Sequence, residues 1–369
     1  MPVSPLSLQP KDAIAFFRSK GMRTGFDYRD VWQQEHAQGF TVAKAMQVDI
    51  LTDIRRALDD AMTQGKTLEQ FKKELSPILQ AKGWWGRQEV TDPLTGETKL
   101  AQLGSSRRLR TIYEVNLQSA YAHGNWQRIE ASKRAFPYLM YVCVLDSRTR
   151  PQHRAWHGVC RPVDDPFWDT HYPPCGWKCR CGTRSLTRAQ VKREGIDPTA
   201  PAPRFPMDEV TNPRTGEVSR VEQGIDPAFN FNIGKSPLRP ITAQPMATSM
   251  PAVPKKQLAP AVESFLKSFG AEAKGRILQR DNWPLAIGRE LFQDDQGELK
   301  TPRPDLLGYL LDVANALLRY DSVEWLWGEN AAKKAVLIRR YTKRLDKSLV
   351  TIDFSDGAWT YDVRALSDG

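Results

Sequence analysis

Six prolines fall between Pro237 and Pro260 in "KSPLRPITAQPMATSMPAVPKKQLAP", and they limit the fold more than any other feature of the chain. Proline fixes φ and brings no backbone N–H, so neither a regular helix nor a central strand is expected to run through such a stretch. The segment reads as an exposed, semi-extended linker over 236–260. It divides a chain of 369 residues, long enough for two or three domains, into a large N-terminal module and a compact tail. The expectation is an α+β multidomain protein. Residues 1–100 form a helical part, 101–235 a core with a small metal- or thiol-clasped region, and 261–369 a small α+β domain with an antiparallel sheet.

Periodicity supplies the elements of the N-terminal module. From Thr41, the apolar residues Val42, Met46, Ile50, Ile54, Leu58 and Met62 recur every fourth position, which predicts an amphipathic helix. Gly65 punctuates it, and Thr67-Leu-Glu-Gln70 has the form of a capping box opening a second helix toward Leu79. "VTDPLTGET" (90–98) and "VTNPRTGEV" (210–218) are near copies that read as two hairpin tips with shared turn chemistry. Ser105 to Ser132 predicts a long helix. "LMYVCVL" (139–145) predicts a buried strand with Cys143 as a core residue.

The tail has a different pattern. Pro302 and Pro304 precede a helix expected over Asp305 to Leu318. Ala331 to Leu345 reads as a second helix, with Leu337, Ile338, Tyr341 and Leu345 on one face and Lys333, Arg340, Lys343, Arg344 and Lys347 elsewhere. Val350, Ile352 and Phe354 then alternate, Asp356-Gly357 supplies a turn, and Trp359, Tyr361 and Val363 alternate again, which predicts a hairpin.

Chemistry concentrates in "DSRTRPQHRAWHGVCRPVDDPFWDTHYPPCGWKCRCGTRSLT" (146–187). His153 and His157 are four apart, which on a helix puts both imidazoles on one face. Cys179 and Cys181 are two apart, which in an extended segment puts both sulfurs on one side. Two nitrogens and two sulfurs make a closed tetrahedral zinc site. Three alternatives stand beside it: a Cys160–Cys175 disulfide, thiols and histidines packed as an ordinary polar cluster, and a Cys-His nucleophilic pair.

Charge is uneven. The net charge is +10, and residues 107–194 hold 16 Lys/Arg against 7 Asp/Glu, an excess of +9. Such a field suits a polyanion, nucleic acid first and an acidic protein second, or else an ordinary solvated surface. The first residues lack a basic start followed by an apolar run, and no stretch approaches the roughly eighteen apolar residues of a membrane span. A soluble intracellular protein with reduced thiols, and no membrane partner, is the expectation.

The same residues resemble the phage Mu protein F-like head-morphogenesis (minor capsid) family. Its Asp-x-x-Thr-Arg-x-x-His, His-Gly, Pro-Pro-x-Gly-Trp and Cys-Arg-Cys elements occur here in order. "AIAFFRSKG", "FTVAKAMQVDIL", "GWWG" and "GIDPAFNFNIG" (224–234) extend the likeness over about residues 5–235. Where that family usually has Asn after the paired prolines, this chain has Cys175, which sets Cys175 aside as an obligatory ligand. The resemblance carries His153, His157, Cys179 and Cys181 forward as the set for one structural zinc ion, with Asp146, Arg148, Thr149 and Arg150 ordering the loop. It implies a minor head component near the portal, in the virion head interior and the host cytoplasm, acting in capsid assembly and in DNA packaging or delivery. The implied partners are portal, major capsid or scaffold proteins and packaged DNA, with phosphate contacts through Arg107, Arg108, Arg110, Arg148, Arg150, Arg180 and Arg184.

Residues 276–369 resemble phage nuclease domains of the barnase–EndoU–colicin–RelE-like superfamily, through their order of elements and through "RRYTKRL" followed by a hairpin. That likeness implies RNA or DNA cleavage. No histidine follows His171, so acid–base work would fall to Glu324 or Tyr341, with Arg340 or Lys343 stabilising the phosphorane charge. A basic binding strip on an inactive domain is the other reading.

Overall fold

The structure is a computed structural model that describes residues 10–247, 250–329 and 335–366. The chain divides between Pro237 and Leu238 into two compact units.

In the first unit, helices Lys11–Ser19, Val48–Gln64, Leu68–Ala81 and Ser106–Ser132 enclose a core that includes Ile14, Phe16, Leu51, Ile54, Leu75, Leu109 and Trp126. Gly124 lets the first and last of these helices approach, since a Cβ there would come within 2.9 Å of the Ala13 backbone nitrogen. The helix expected from Thr41 begins only at Val48. Lys44 adopts a left-handed φ of 64° and donates its N–H to the Gly25 carbonyl, which breaks the helical repeat and leaves Met46 exposed. Gly65 ends the helix at φ 67°, and Thr67 and Gln70 close the capping box in both directions.

A three-stranded sheet follows, with Tyr138–Val142 in the centre between Cys160–Pro162 and Gly182–Leu186. The near-copied sequences do form two hairpins, Arg87–Thr91 with Thr98–Gln102 and Met207–Thr211 with Val218–Glu222.

The second unit holds a five-stranded sheet in the order Gln244–Pro245, Ala358–Ala365, Ser348–Ser355, Ala335–Arg344, Ser322–Glu329. The first pairing is parallel and the others antiparallel. Phe354, Ile352, Tyr341, Trp359 and Tyr361 share a core with Phe265, Leu266, Val313 and Leu317 of the helices Lys255–Phe269 and Leu310–Leu318. The second helix predicted in the tail is a strand over Ala335–Arg344, and residues 331–334 of that expectation lie outside the described residues. Neighbouring strands supply ladder partners on both of its edges, and alternation buries Leu337, Arg339 and Tyr341 on one face. Sheet pairing thereby overrides an apolar spacing that also fits a helix.

The expected exposed linker has structure of its own. Leu238 and Ala243 are buried, Ile241 exchanges backbone hydrogen bonds with Pro284 and Ala286, and Gln244–Pro245 forms the sheet edge. The helix Lys255–Phe269 starts after Pro254. Proline is tolerated at a strand edge and at a helix entry, where its missing N–H has no partner to lose. Among the described residues no helix is long and apolar enough to cross a membrane.

Candidate metal centre

Two backbone features bring the candidate ligands together. The Pro151–Trp156 helix, entered through a proline at its first position, carries His153 with its side chain buried. The antiparallel register of the central strand pairs Val142 with Gly182, so the Cys179-Arg-Cys181 segment enters the sheet beside Tyr141 and Cys143. Asp226 holds the preceding turn in place. One of its oxygens accepts from the Trp177 N–H at 2.7 Å and from Arg150 at 3.0 Å, and its own N–H donates to the Cys175 carbonyl. Gly176 is the only residue size that fits there, since a Cβ would lie 2.2 Å from that Asp226 oxygen.

The donor atoms of His153, Cys179 and Cys181 lie within 4.8 Å of one another. His153 Nδ1 is 3.7 Å from Cys179 Sγ and 3.5 Å from Cys181 Sγ. Its other ring nitrogen, Nε2, lies 2.8 Å from the Gly224 carbonyl. A carbonyl only accepts, so Nε2 carries the proton and Nδ1 turns a lone pair toward the sulfurs, which is how protein sites orient a metal-ligating histidine. The hydrogen bond between the two cysteines pushes Cys179 up to about 12, with burial adding to it, and lowers Cys181, so Cys181 is the readier thiolate of the pair. One imidazole nitrogen and two sulfurs form a group that fits a zinc-type cation and could hold one.

His157 is not among them. The helix ends at Trp156, and His157 sits at its C-cap with φ −59° and ψ 128°, so the four-residue spacing does not stack the imidazoles on one face. Its Nδ1 accepts the backbone N–H of Cys143 at 3.0 Å. The Cys160–Cys175 disulfide is not formed: Cys160 packs with Leu186 and Val191, whereas Cys175 lies against Tyr141 Oη and the His171 carbonyl.

The polar loop is ordered by Asp146, which accepts from the Arg148 backbone at 3.0 Å and takes a two-pronged ion pair from Arg180 at 2.6 and 2.8 Å. Arg180 lies between the two candidate ligand cysteines, so this pair fixes their segment from outside, and its hydrogen bonds hold the Asp146 carboxyl well below the usual carboxylate range. Arg150 joins Asp226 instead of the Asp146 cluster.

Of the other arginines expected to face phosphates, Arg108 is taken up by three backbone carbonyls, of Ala43, Gln102 and Leu103, and stacks on Trp84 at 4.8 Å. Arg184 forms a two-pronged pair with Glu194. Arg107, Arg110 and Arg148 are exposed. In the second unit Arg340 is bound by both Asp353 oxygens, with exposed Glu324 directly opposite on the next strand. Tyr341 faces the core and bonds Asp281, and Lys343 pairs with Asp321 at the strand end. Strand alternation thus sends Arg340 to one face and Tyr341 and Lys343 to the other.

Sequence reasoning missed Asp226 and Gly224 as supports of the site, although "GIDPAFNFNIG" had been singled out. The missing signal was spatial, since Asp226 lies 49 positions beyond Trp177 in the cysteine turn and Gly224 lies 71 beyond His153.

Residues 52–184 match the family model described as Phage Mu protein F like protein. The "Putative capsid assembly protein F" of Escherichia phage Mu is 40% identical over 242 residues, covering 62% of this chain and 55% of that protein. The Mu-like prophage FluMu F protein of Haemophilus influenzae is 34% identical over 228 residues, covering 58% of this chain and 54% of that protein. The chain therefore spans about half the length of the curated relatives it matches. No solved structure matches it. The residues 52–184 that match this family model include His153, Cys179 and Cys181.

Proposed function

We propose that the chain is a minor head protein acting in phage or prophage capsid assembly. The observation that carries this reading is the 40% identity over 242 residues to a protein named for capsid assembly. Its partners on this reading are portal, major capsid or scaffold proteins, and its place is the head interior after synthesis in the host cytoplasm. The test is to delete its gene from a phage or prophage that encodes it and to image the particles. Empty or aberrant heads, with the wild-type chain co-purifying with complete ones, is the expected result. Normal, DNA-filled heads without the chain would reject the reading.

The His153, Cys179 and Cys181 group, on the same proposal, holds one structural zinc ion that ties the cysteine segment to the Pro151–Trp156 helix. Elemental analysis of the purified chain tests it. Substoichiometric zinc in wild type, or full zinc in a Cys179→Ser/Cys181→Ser double variant, counts against it.

Contact with packaged DNA would rest on the exposed Arg107 and Arg110, and on exposed Arg148, which is held by a single 3.5 Å ion pair to Asp146 and not by a two-pronged carboxylate. A nuclease role for the second unit has no comparable support. The likeness rested on a basic helix that is a strand, and Arg340 and Tyr341 point to opposite faces of it. Incubating the full chain with RNA and with DNA, with and without divalent metal, checks this directly.

A further inference from the structure

We propose that Cys143 is the fourth ligand of the metal centre, which is therefore a closed Cys143/His153/Cys179/Cys181 site, and that His157 positions Cys143 rather than binding metal. The inference rests on the zinc reading above and extends it to the full coordination.

Register is the first argument. Val142 pairs with Gly182 across the antiparallel ladder, so the next step outward sets Cys143 opposite Cys181. Directly opposed residues present their side chains on the same face of a pair. Cys143 Sγ accordingly lies 3.6 Å from Cys181 Sγ.

Distances are the second. With zinc–sulfur bonds of about 2.3 Å and a zinc–nitrogen bond of about 2.0–2.1 Å, a tetrahedral site has sulfur–sulfur edges of roughly 3.8 Å and sulfur–nitrogen edges of roughly 3.6 Å. The observed separations are 3.6 Å for Cys143 to Cys181, 3.5 Å for Cys181 to His153 Nδ1 and 3.7 Å for Cys179 to His153 Nδ1. Each of the three matches an edge of such a site, and Cys143 Sγ adjoins the His153/Cys179/Cys181 group through Cys181. Cys143 Sγ otherwise meets the His153 carbonyl at 2.7 Å, so a small rotation about its Cα–Cβ bond, away from that oxygen, is what ligation asks of it.

The third argument is where His157 spends its nitrogen. Nδ1 accepts the Cys143 N–H at 3.0 Å, which fixes the backbone from which the thiol projects and takes up that ring nitrogen. Cys143, at 7% exposure, is as enclosed as Cys179 at 4% and His153 at 2%. Four protein donors leave zinc no position for a reacting water, so the centre is structural and takes a tetrahedral thiolate-preferring cation.

The test uses the full chain loaded with zinc or with cobalt(II) alone. X-ray absorption of the zinc-loaded wild type is expected to show three sulfurs and one nitrogen. Cobalt(II) in Cys143→Ser should lose about one third of the sulfur-to-metal charge-transfer intensity, as one of three thiolates is removed. Two sulfurs in the wild-type spectrum, or an undiminished band in Cys143→Ser, would overturn the assignment while leaving a zinc site in place. A wild-type chain that binds neither metal would remove the zinc reading and this inference together. The wild-type spectrum decides the matter even where a variant fails to fold.

Discussion

Arg214 in the tip of one hairpin forms an ion pair with Asp92 in the tip of the other, and it binds Asp30 through a second nitrogen. The two tips are built alike. Asp92 accepts from the Leu94 N–H at 3.0 Å and Asn212 from the Arg214 N–H at 2.9 Å, and in each a threonine two residues before the end of the turn repeats the pattern. They differ in what the first side chain does with its remaining atom. Asp92 spends a carboxylate oxygen on Arg214, whereas Asn212 donates its amide to the Arg29 carbonyl at 3.1 Å. Both are buried, so each needs its partner.

Asp92→Asn is consequently expected to keep the turn, as Asn212 does, and to lose the ion pair. Arg214, with 10% of its side chain exposed, would be left with Asp30 alone. A thermal melt should show the first unit's transition lowered by several degrees, and Arg214→Ala should lower it further because two carboxylates then lose their cation. Equal melting of Asp92→Asn and wild type would show that the pair contributes nothing.

The Asp146–Arg180 pair fixes the cysteine segment from outside the donor group. Removing groups that orient metal ligands typically costs about 10- to 100-fold in metal affinity. Asp146→Asn removes the charge while keeping a hydrogen-bond acceptor, so a loss near 10-fold is expected in a chelator competition titration. Unchanged affinity would mean that the strand ladder alone holds the cysteines.

Two fully enclosed histidines set a pH dependence. Burial lowers His123, stacked on Phe16 at 4.1 Å, to about 3, and burial lowers His171 to about 4. Both are neutral in the fold, whereas an unfolded chain protonates them below about pH 6.5. Their contribution to stability is therefore complete above about pH 6.5 and is lost as pH falls toward 4, at about 1.4 kcal/mol per pH unit for each group. Denaturant unfolding of His123→Gln over pH 4.5–6.5 should show a slope shallower by about that amount than wild type. Parallel slopes would show that His123 is not held neutral.

Local signals carried much of the fold. Gly65, the Thr67–Gln70 box, the helix from Ser106 to Ser132 and both hairpin tips each depend on residues within one or two turns, and each forms where expected. Elements decided by distant partners were not legible. Ala335–Arg344 carries an apolar spacing compatible with either helix or strand, and only the flanking strands select the strand. The proline-rich stretch reads as a linker until Ile241 and Gln244 find sheet edges beyond it. At the candidate metal site, the structure brings His153, Cys179 and Cys181 together but not His157, because a six-residue helix ending at Trp156 looks the same in sequence as one that continues. Cys143 read as a core residue since its neighbour Cys181 is 38 positions away and joined to it only by register.

Gly176 gives the sharpest steric test of how the cysteine loop is held. Its place against Asp226 leaves no room for a side chain, since a Cβ would lie 2.2 Å from the oxygen that accepts from Trp177 and Arg150, and 2.8 Å from the carboxyl carbon. The Asp226 side chain is not a free end that can swing aside, because both hydrogen bonds would break with it. Gly176→Ala is expected to cost about 1–3 kcal/mol, the usual range for forcing a methyl group into a filled site. It should also reduce metal loading, since the displaced turn leads directly into Cys179. Asp226→Ala separates the two effects: it opens the space but removes the acceptor, so the double variant Gly176→Ala/Asp226→Ala should be no less stable than Asp226→Ala alone. A double variant whose losses simply add would show that the glycine is required for some reason other than this contact.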